Sequence, residues 1–181
     1  MAEIRTVAVI GAGILGRGIA CAAALAGYHT ILEDILPASL RKAEAAMRAS
    51  LNEDEQTLAR IRYASTVEEA ARQADLVIEA VPDELESKIE IFTLLDKVCK
   101  PETILALNTF TLSITEIASV TYRPQKCIGM RFSNPVDQMT RLELVCGQAT
   151  DEETVAACVE AGRRMGKEAV LVHEGRGGSI H

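Results

Sequence analysis

The chain has 181 residues, 48% of them hydrophobic, which is enough for one buried core and too little for two ordinary domains. Its formal charge of −7, carried by acids spread along the sequence, argues against nucleic acid or an anionic membrane as a partner. Five cysteines without a Cys-x-x-Cys pair, and three histidines that do not cluster, indicate neither a disulfide framework nor a metal site, and fit a reducing cytoplasm.

Residues 6–10 are a β-branched apolar run that reads as a strand, and residues 11–16 form a turn opening a helix that Gly27 stops. The apolar stretch 7–26 has the length of a membrane span, but Arg17, its four glycines and its β-type start oppose that reading. A second strand at 29–32 leads into Glu33-Asp34, Pro37 opens a helix through Met47, and residues 54–60 continue as another. A short strand at 62–64 and a helix at 67–73 precede the strongest buried-strand signal, LVIEAV at 76–81. Pro82 then begins a helix to about Val98, residues 103–107 read as a strand, and Ser113-Ile-Thr-Glu116 spells a capping box. Strands near 126–130 and 141–145, a helix over 151–165 and a strand at 169–172 complete the order. Alternating helices and continuously apolar strands predict an α/β Rossmann-type doubly wound fold, a mostly parallel sheet with helices on both faces. It occupies residues 1–174, with the glycine-rich 175–181 as a flexible tail.

GAGILG, residues Gly11, Ala12, Gly13, Ile14, Leu15 and Gly16, places Gly-x-Gly-x-x-Gly directly between strand and helix. Gly11 permits a tight turn, Gly13 lets a pyrophosphate approach the backbone, and Gly16 lets helix and strand pack closely. The phosphates then meet the unpaired amides and positive dipole end of the helix. Asp34 ends the second strand at the spacing of roughly twenty residues expected of a ribose-binding acid. A carboxylate there repels a 2′-phosphate, which predicts NAD over NADP.

Beyond that fingerprint, four segments carry a resemblance: VAVIGAGILGRGIA at 7–20, ADLVIEAVPDELESK at 74–88, LNTFTLSITEIA at 107–118 and IGMRFSNPVDQMTRLELV at 128–145. In this order they resemble the N-terminal, NAD-binding half of the 3-hydroxyacyl-CoA dehydrogenases. The resemblance implies hydride transfer between NAD and a 3-hydroxyacyl-CoA or 3-ketoacyl-CoA. It also implies cofactor contacts at residues 11–16, Asp34, Asp83, Lys88 and Asn134, with Asp83 standing where the family usually has glutamate. Taken alone, Asp83 and Lys88 are an ordinary acid of a first helical turn and a lysine further along. Asn108 and Asn134, each beside a turn, are expected to bond the backbone or the nicotinamide half.

The family's chemistry uses a histidine as general base, a glutamate that orients it and a serine that binds the substrate oxygen. Glu143 stands at the glutamate position, but Arg131 replaces the histidine and Phe110 the serine. A guanidinium stays protonated near neutral pH, so it cannot take the proton of a hydroxyl group. It can polarise a carbonyl or clamp a carboxylate, and the family's geometry implies that it faces Glu143 as an ion pair. Two departures bear on partners. The connection from Asp34 to Arg60 is shorter than the family's arm, which helps hold coenzyme A. After VLVHE the sequence turns to glycine instead of the family's Pro-Gly-Phe and the helical domain that follows it. The expectation is an NAD-binding protein of this type with weak or lost activity, a possible acyl-CoA ligand, and a homodimer or a helical partner covering the cleft. The alternative is a non-catalytic NAD-binding module, either a sensor or a subunit of a larger assembly.

Overall fold

The computed structural model describes residues 3–174, so the tail expected at 175–181 lies outside the described residues. The chain runs β1 (Thr6–Ile10), α1 (Ile14–Leu25), β2 (His29–Glu33), α2 (Pro37–Ser50), α3 (Glu55–Leu58), β3 (Ile61–Ala64), α4 (Val67–Ala71), β4 (Leu76–Glu79), α5 (Leu85–Val98), β5 (Ile104–Leu107) and α6 (Ile114–Ala118). A 3-10 turn over Pro124–Lys126 then leads into β6 (Cys127–Arg131), β7 (Arg141–Cys146), α7 (Glu152–Arg164) and β8 (Glu168–His173).

The eight strands form one sheet in the order β3-β2-β1-β4-β5-β6-β7-β8. Every neighbouring pair is parallel except β6 and β7. The strands nearest the centre are apolar on both sides because helices cover both. Val7 and Val9 join α1, α2 and α7 in one core. Ala8 and Ile10, pointing the other way along the same strand, join α4, α5 and α6 in a second.

The antiparallel step at β6–β7 departs from a purely parallel sheet, and the connection explains it. Residues 132–140 hold no crossover helix, so the chain turns back beside itself. The sequence placed a helix start at Pro82, whereas α5 begins at Leu85. The three intervening residues stay outside the helix because the Asp83 side chain is held by groups on the β5–α6 connection, described below. Elsewhere the caps follow the sequence. Gly27 takes φ of +96° after α1, and Ser113 accepts from the Glu116 amide at the start of α6; Asp151, read from the sequence as the first helical residue, instead caps α7 by accepting from the Thr154 amide.

Strand order reverses between β1 and β4, both parallel, with successive elements leaving to opposite sides. A crevice at the carboxyl ends of the strands follows from that reversal, and residues 11–16, 33–36, 80–84, 108–111 and 131–136 all gather there.

Candidate functional site

The glycine turn is built as its spacing requires. Gly11 has φ of +103°, and a Cβ on it would lie 3.1 Å from the Ala80 carbonyl oxygen. A Cβ on Gly16 would lie 1.7 Å from the Gly11 oxygen, so no other residue fits there without moving the turn off the helix. Around Gly13, by contrast, nothing among the described residues lies within 4 Å of an added Cβ. The backbone is therefore open on the side from which a pyrophosphate approaches. Helix α1 has no side-chain cap and no acid in its first turn, which leaves its amides and dipole for an anionic ligand.

Asp34 stands directly beside this turn. Its Oδ2 accepts from the Ala12 amide at 3.0 Å and its Oδ1 from the Leu36 amide at 2.9 Å. The Gly11 amide donates to the Glu33 carbonyl at 2.9 Å, so the end of β2 and the turn are stitched together before any ligand arrives.

A buried polar cluster braces the other side of the crevice. Lys88 has no exposed surface, and its ammonium lies 2.9 Å from Glu79 Oε2, 3.1 Å from Asp83 Oδ1 and 2.9 Å from the Asn108 carbonyl oxygen. Its three donors are thus committed within the protein. Lys88 holds Asp83 and Asn108 rather than reaching the crevice itself. Burial pushes the Glu79 carboxyl up to about 7 against the pull of Lys88. Burial also works to raise Asp83, but hydrogen bonding by Thr109, Lys88 and the Phe110 amide outweighs it and holds that carboxyl below its ordinary value. Asp83 Oδ2 also accepts from the Thr111 hydroxyl at 3.1 Å. Asn108 is buried, and its Oδ1 accepts from the Phe132 amide at 3.0 Å, one of the roles expected of it.

Arg131 ends β6 directly opposite Glu143 of β7 in the antiparallel register. The expected ion pair forms, with Nη1 3.2 Å from Glu143 Oε2. Arg131 Nε donates to the Thr109 carbonyl at 2.6 Å, and the guanidinium carbon lies 5.5 Å from the centre of the Phe110 ring. Arg131 is 6% exposed while Phe110 is 56% exposed, so the ring forms the outer wall and the cation the floor. No partner occupies Arg131 Nη2 among the described residues. Arg141, two positions before Glu143 and so on the same strand face, donates to Glu143 Oε1 at 2.9 Å. Burial works to raise Glu143, but the bonds from Arg141 and Arg131 outweigh it and hold the carboxylate ionised to lower pH than usual. Two guanidiniums around one carboxylate leave this corner with a surplus positive charge.

Asn134 is exposed and joined to Pro135 by a cis peptide bond. It lines a cleft of about 580 Å3 together with Arg17 and Cys21 of α1 and with Lys167. Sequence reasoning passed over three groups. The Thr109 carbonyl anchors Arg131, and no side-chain pattern announces a backbone acceptor. Arg141 supplies the second guanidinium, and its period-2 spacing from Glu143 was a usable signal. Glu33 has a buried carboxyl whose Oε2 meets no hydrogen-bond partner among the described residues.

Residues 6–175 match the family model described as the NAD binding domain of 3-hydroxyacyl-CoA dehydrogenase. The chain belongs to this family, and the domain it forms binds NAD. It is 42% identical to a probable 3-hydroxybutyryl-CoA dehydrogenase of Bacillus subtilis, over 95% of this chain and 63% of that protein. It is 38% identical to the 3-hydroxyadipyl-CoA dehydrogenase of Escherichia coli K12, over 96% of this chain and 38% of that protein. The crystal structure of (S)-3-hydroxybutyryl-CoA dehydrogenase from Ralstonia eutropha superposes with a TM-score of 0.92 at 33% identity, covering 98% of this chain and 66% of that one. The chain thus spans less than two thirds of the length of the curated relatives named here. The open cradle at Gly13, the uncapped α1 and the carboxylate of Asp34 suit NAD.

Proposed function

We propose that this chain is the NAD-binding part of an oxidoreductase of the 3-hydroxyacyl-CoA dehydrogenase type in which hydroxyl oxidation is weak or lost. NAD supplies the hydride acceptor. Residues 11–16 hold the pyrophosphate, Asp34 the adenosine ribose, and Asp83, Asn108 and Asn134 border the nicotinamide half, with Lys88 fixing Asp83 and Asn108 from behind.

The observation that carries this reading is the state of Arg131. It fills the position of the family's base, it is buried, and its Nε and Nη1 are committed to Thr109 and Glu143. Such a cation neither accepts a proton nor leaves Glu143 free to orient another base. Its unoccupied Nη2 can still polarise a carbonyl oxygen or receive a carboxylate. A second reading, a non-catalytic NAD-binding module, is supported by Phe110, whose exposed ring removes a hydroxyl donor and adds bulk beside the same floor.

The names of the relatives support an acyl-CoA ligand, although α2 and the four-residue α3 leave little arm with which to grip coenzyme A. Exposed Ile14 and Leu25 along α1 support a covered cleft, by a second copy or a helical partner domain. Residues 1–174 act as one NAD-binding unit, and the five free cysteines support a cytoplasmic setting.

The test mixes purified chain, NADH and acetoacetyl-CoA and follows nicotinamide absorbance. Background rates are expected, with a gain in the double variant Arg131→His, Phe110→Ser, which restores both missing groups. Turnover by the unaltered chain comparable to the roughly 10 s−1 of an ordinary enzyme would contradict the proposal.

A further inference from the structure

Glu33 ends β2, between Ile10 of β1 and Ala64 of β3 in register. Its side chain takes the sheet face it shares with Ile31, the face covered by α4 and α5. The residue is 5% exposed, Oε2 is sealed from solvent, and no hydrogen bond reaches either carboxyl oxygen among the described residues. An ionised carboxylate in such a place is costly, whereas a neutral carboxyl is tolerated. Burial, and after it the adjacent Asp34 carboxylate, push Glu33 up to about 7.

The charged groups on the surrounding elements offer it no relief. Arg62 of β3 is exposed, Glu68 and Glu69 of α4 are acids, and Glu79 of β4, in register across Ile10, is an acid already paired with Lys88. Lys88 of α5 is fully taken up by Glu79, Asp83 and the Asn108 carbonyl. Arg17 belongs to α1, which covers the opposite face of the sheet. The position of Glu33 meanwhile ties it to the cofactor. Its carbonyl receives the Gly11 amide, its neighbour Asp34 receives the Ala12 amide, and Ile35, 80% exposed, follows with an apolar surface suited to a flat base.

We propose that Glu33 is a proton-linked member of the adenosine subsite: NAD binds the form with a neutral Glu33 carboxyl, and an ionised Glu33 takes one proton from solvent as NAD binds. The dinucleotide brings the negative charge of its pyrophosphate and displaces water from the rim of the carboxyl, and both changes disfavour the anion. Protonation also gives Glu33 an O–H donor where two adjacent acids otherwise offer only acceptors. The sign follows from linkage: affinity is full below the pKa of the free protein and falls as pH rises through it. This inference needs only NAD binding and does not depend on whether hydride transfer survives.

Isothermal titration of NAD and of ADP-ribose against the intact chain, from about pH 6 to about pH 8 in buffers of different ionisation enthalpy, tests it. The expected result is a Kd that rises by up to about tenfold over that range for both ligands, with net proton uptake near and above neutrality. Glu33→Gln should bind both with a flat profile, close to the low-pH affinity of the unaltered chain. A flat profile for the unaltered chain, a slope seen with NAD but not ADP-ribose, absence of proton uptake, or a slope retained in Glu33→Gln would each overturn the proposal. The measurements on the unaltered chain decide the matter even where the variant folds poorly.

Discussion

At position 34 a carboxylate is already bound to two backbone amides, so in the proposed role it would meet the adenosine ribose preorganised rather than ordered by it. Loss of that acid in Asp34→Ala frees the Ala12 and Leu36 amides and removes a charged acceptor. NAD affinity should drop about tenfold, at the low end of what a hydrogen bond to a charged group contributes. Discrimination against NADP should relax at the same time, because the repulsion of a 2′-phosphate is gone. Parallel titrations of NAD and NADP check this, and unchanged NAD affinity would remove Asp34 from the site. At the other end of the crevice, Arg131 changes the chemistry rather than the fit. A neutral imidazole together with Glu143 and Arg141 would carry a net charge of about 0, whereas Arg131, Glu143 and Arg141 together carry about +1. A site with that balance favours an anionic or strongly polarised oxygen over a hydroxyl proton.

The helix entered through GAGILG shows how far an element depends on one missing side chain. In Gly16→Ala the new methyl group meets the Gly11 oxygen at 1.7 Å unless α1 moves away from β1. Such a shift disrupts the phosphate cradle, and overpacking of this kind costs about 1–3 kcal/mol. Thermal melts with and without NAD should show a lower Tm and a lost NAD-induced rise, and a variant with undiminished stabilisation by NAD would contradict the cradle. Much at this scale was legible in the sequence, since continuously apolar strands, the glycine spacing and the caps at Gly27 and Ser113 are local signals. The facing of Arg131 and Glu143 was legible only through the resemblance. Other features depended on tertiary context. Lys88 looked like a surface residue of a helix and is sealed in the core, because Glu79 and Asp83 from other segments supply its counter-charges. Pro82 suggested a helix start that the contacts of Asp83 delay, and nothing in the sequence singled out Glu33. The antiparallel β7 was readable in principle, for residues 132–140 carry no helical pattern.

Across the whole molecule, the sheet divides the crevice between two tasks. The β1–β2 side carries the glycine turn, Asp34 and Glu33, and the β5–β6–β7 side carries Asn108, Phe110, Arg131 and Glu143. In the function proposed above, the first side holds the cofactor while Arg131 and Phe110 stand in place of two of the three catalytic groups on the second, so binding of the cofactor and use of it are separable. The Lys88 cluster spans the join and fixes Asp83 and Asn108 through bonds of its own. Oxidation of (S)-3-hydroxybutyryl-CoA by the purified chain at saturating NAD, with NAD binding verified by calorimetry on the same sample, tests that separation most directly. The account predicts NAD bound and NADH formation at background; NADH formed at the roughly 10 s−1 of a typical enzyme, by this chain alone, would contradict it.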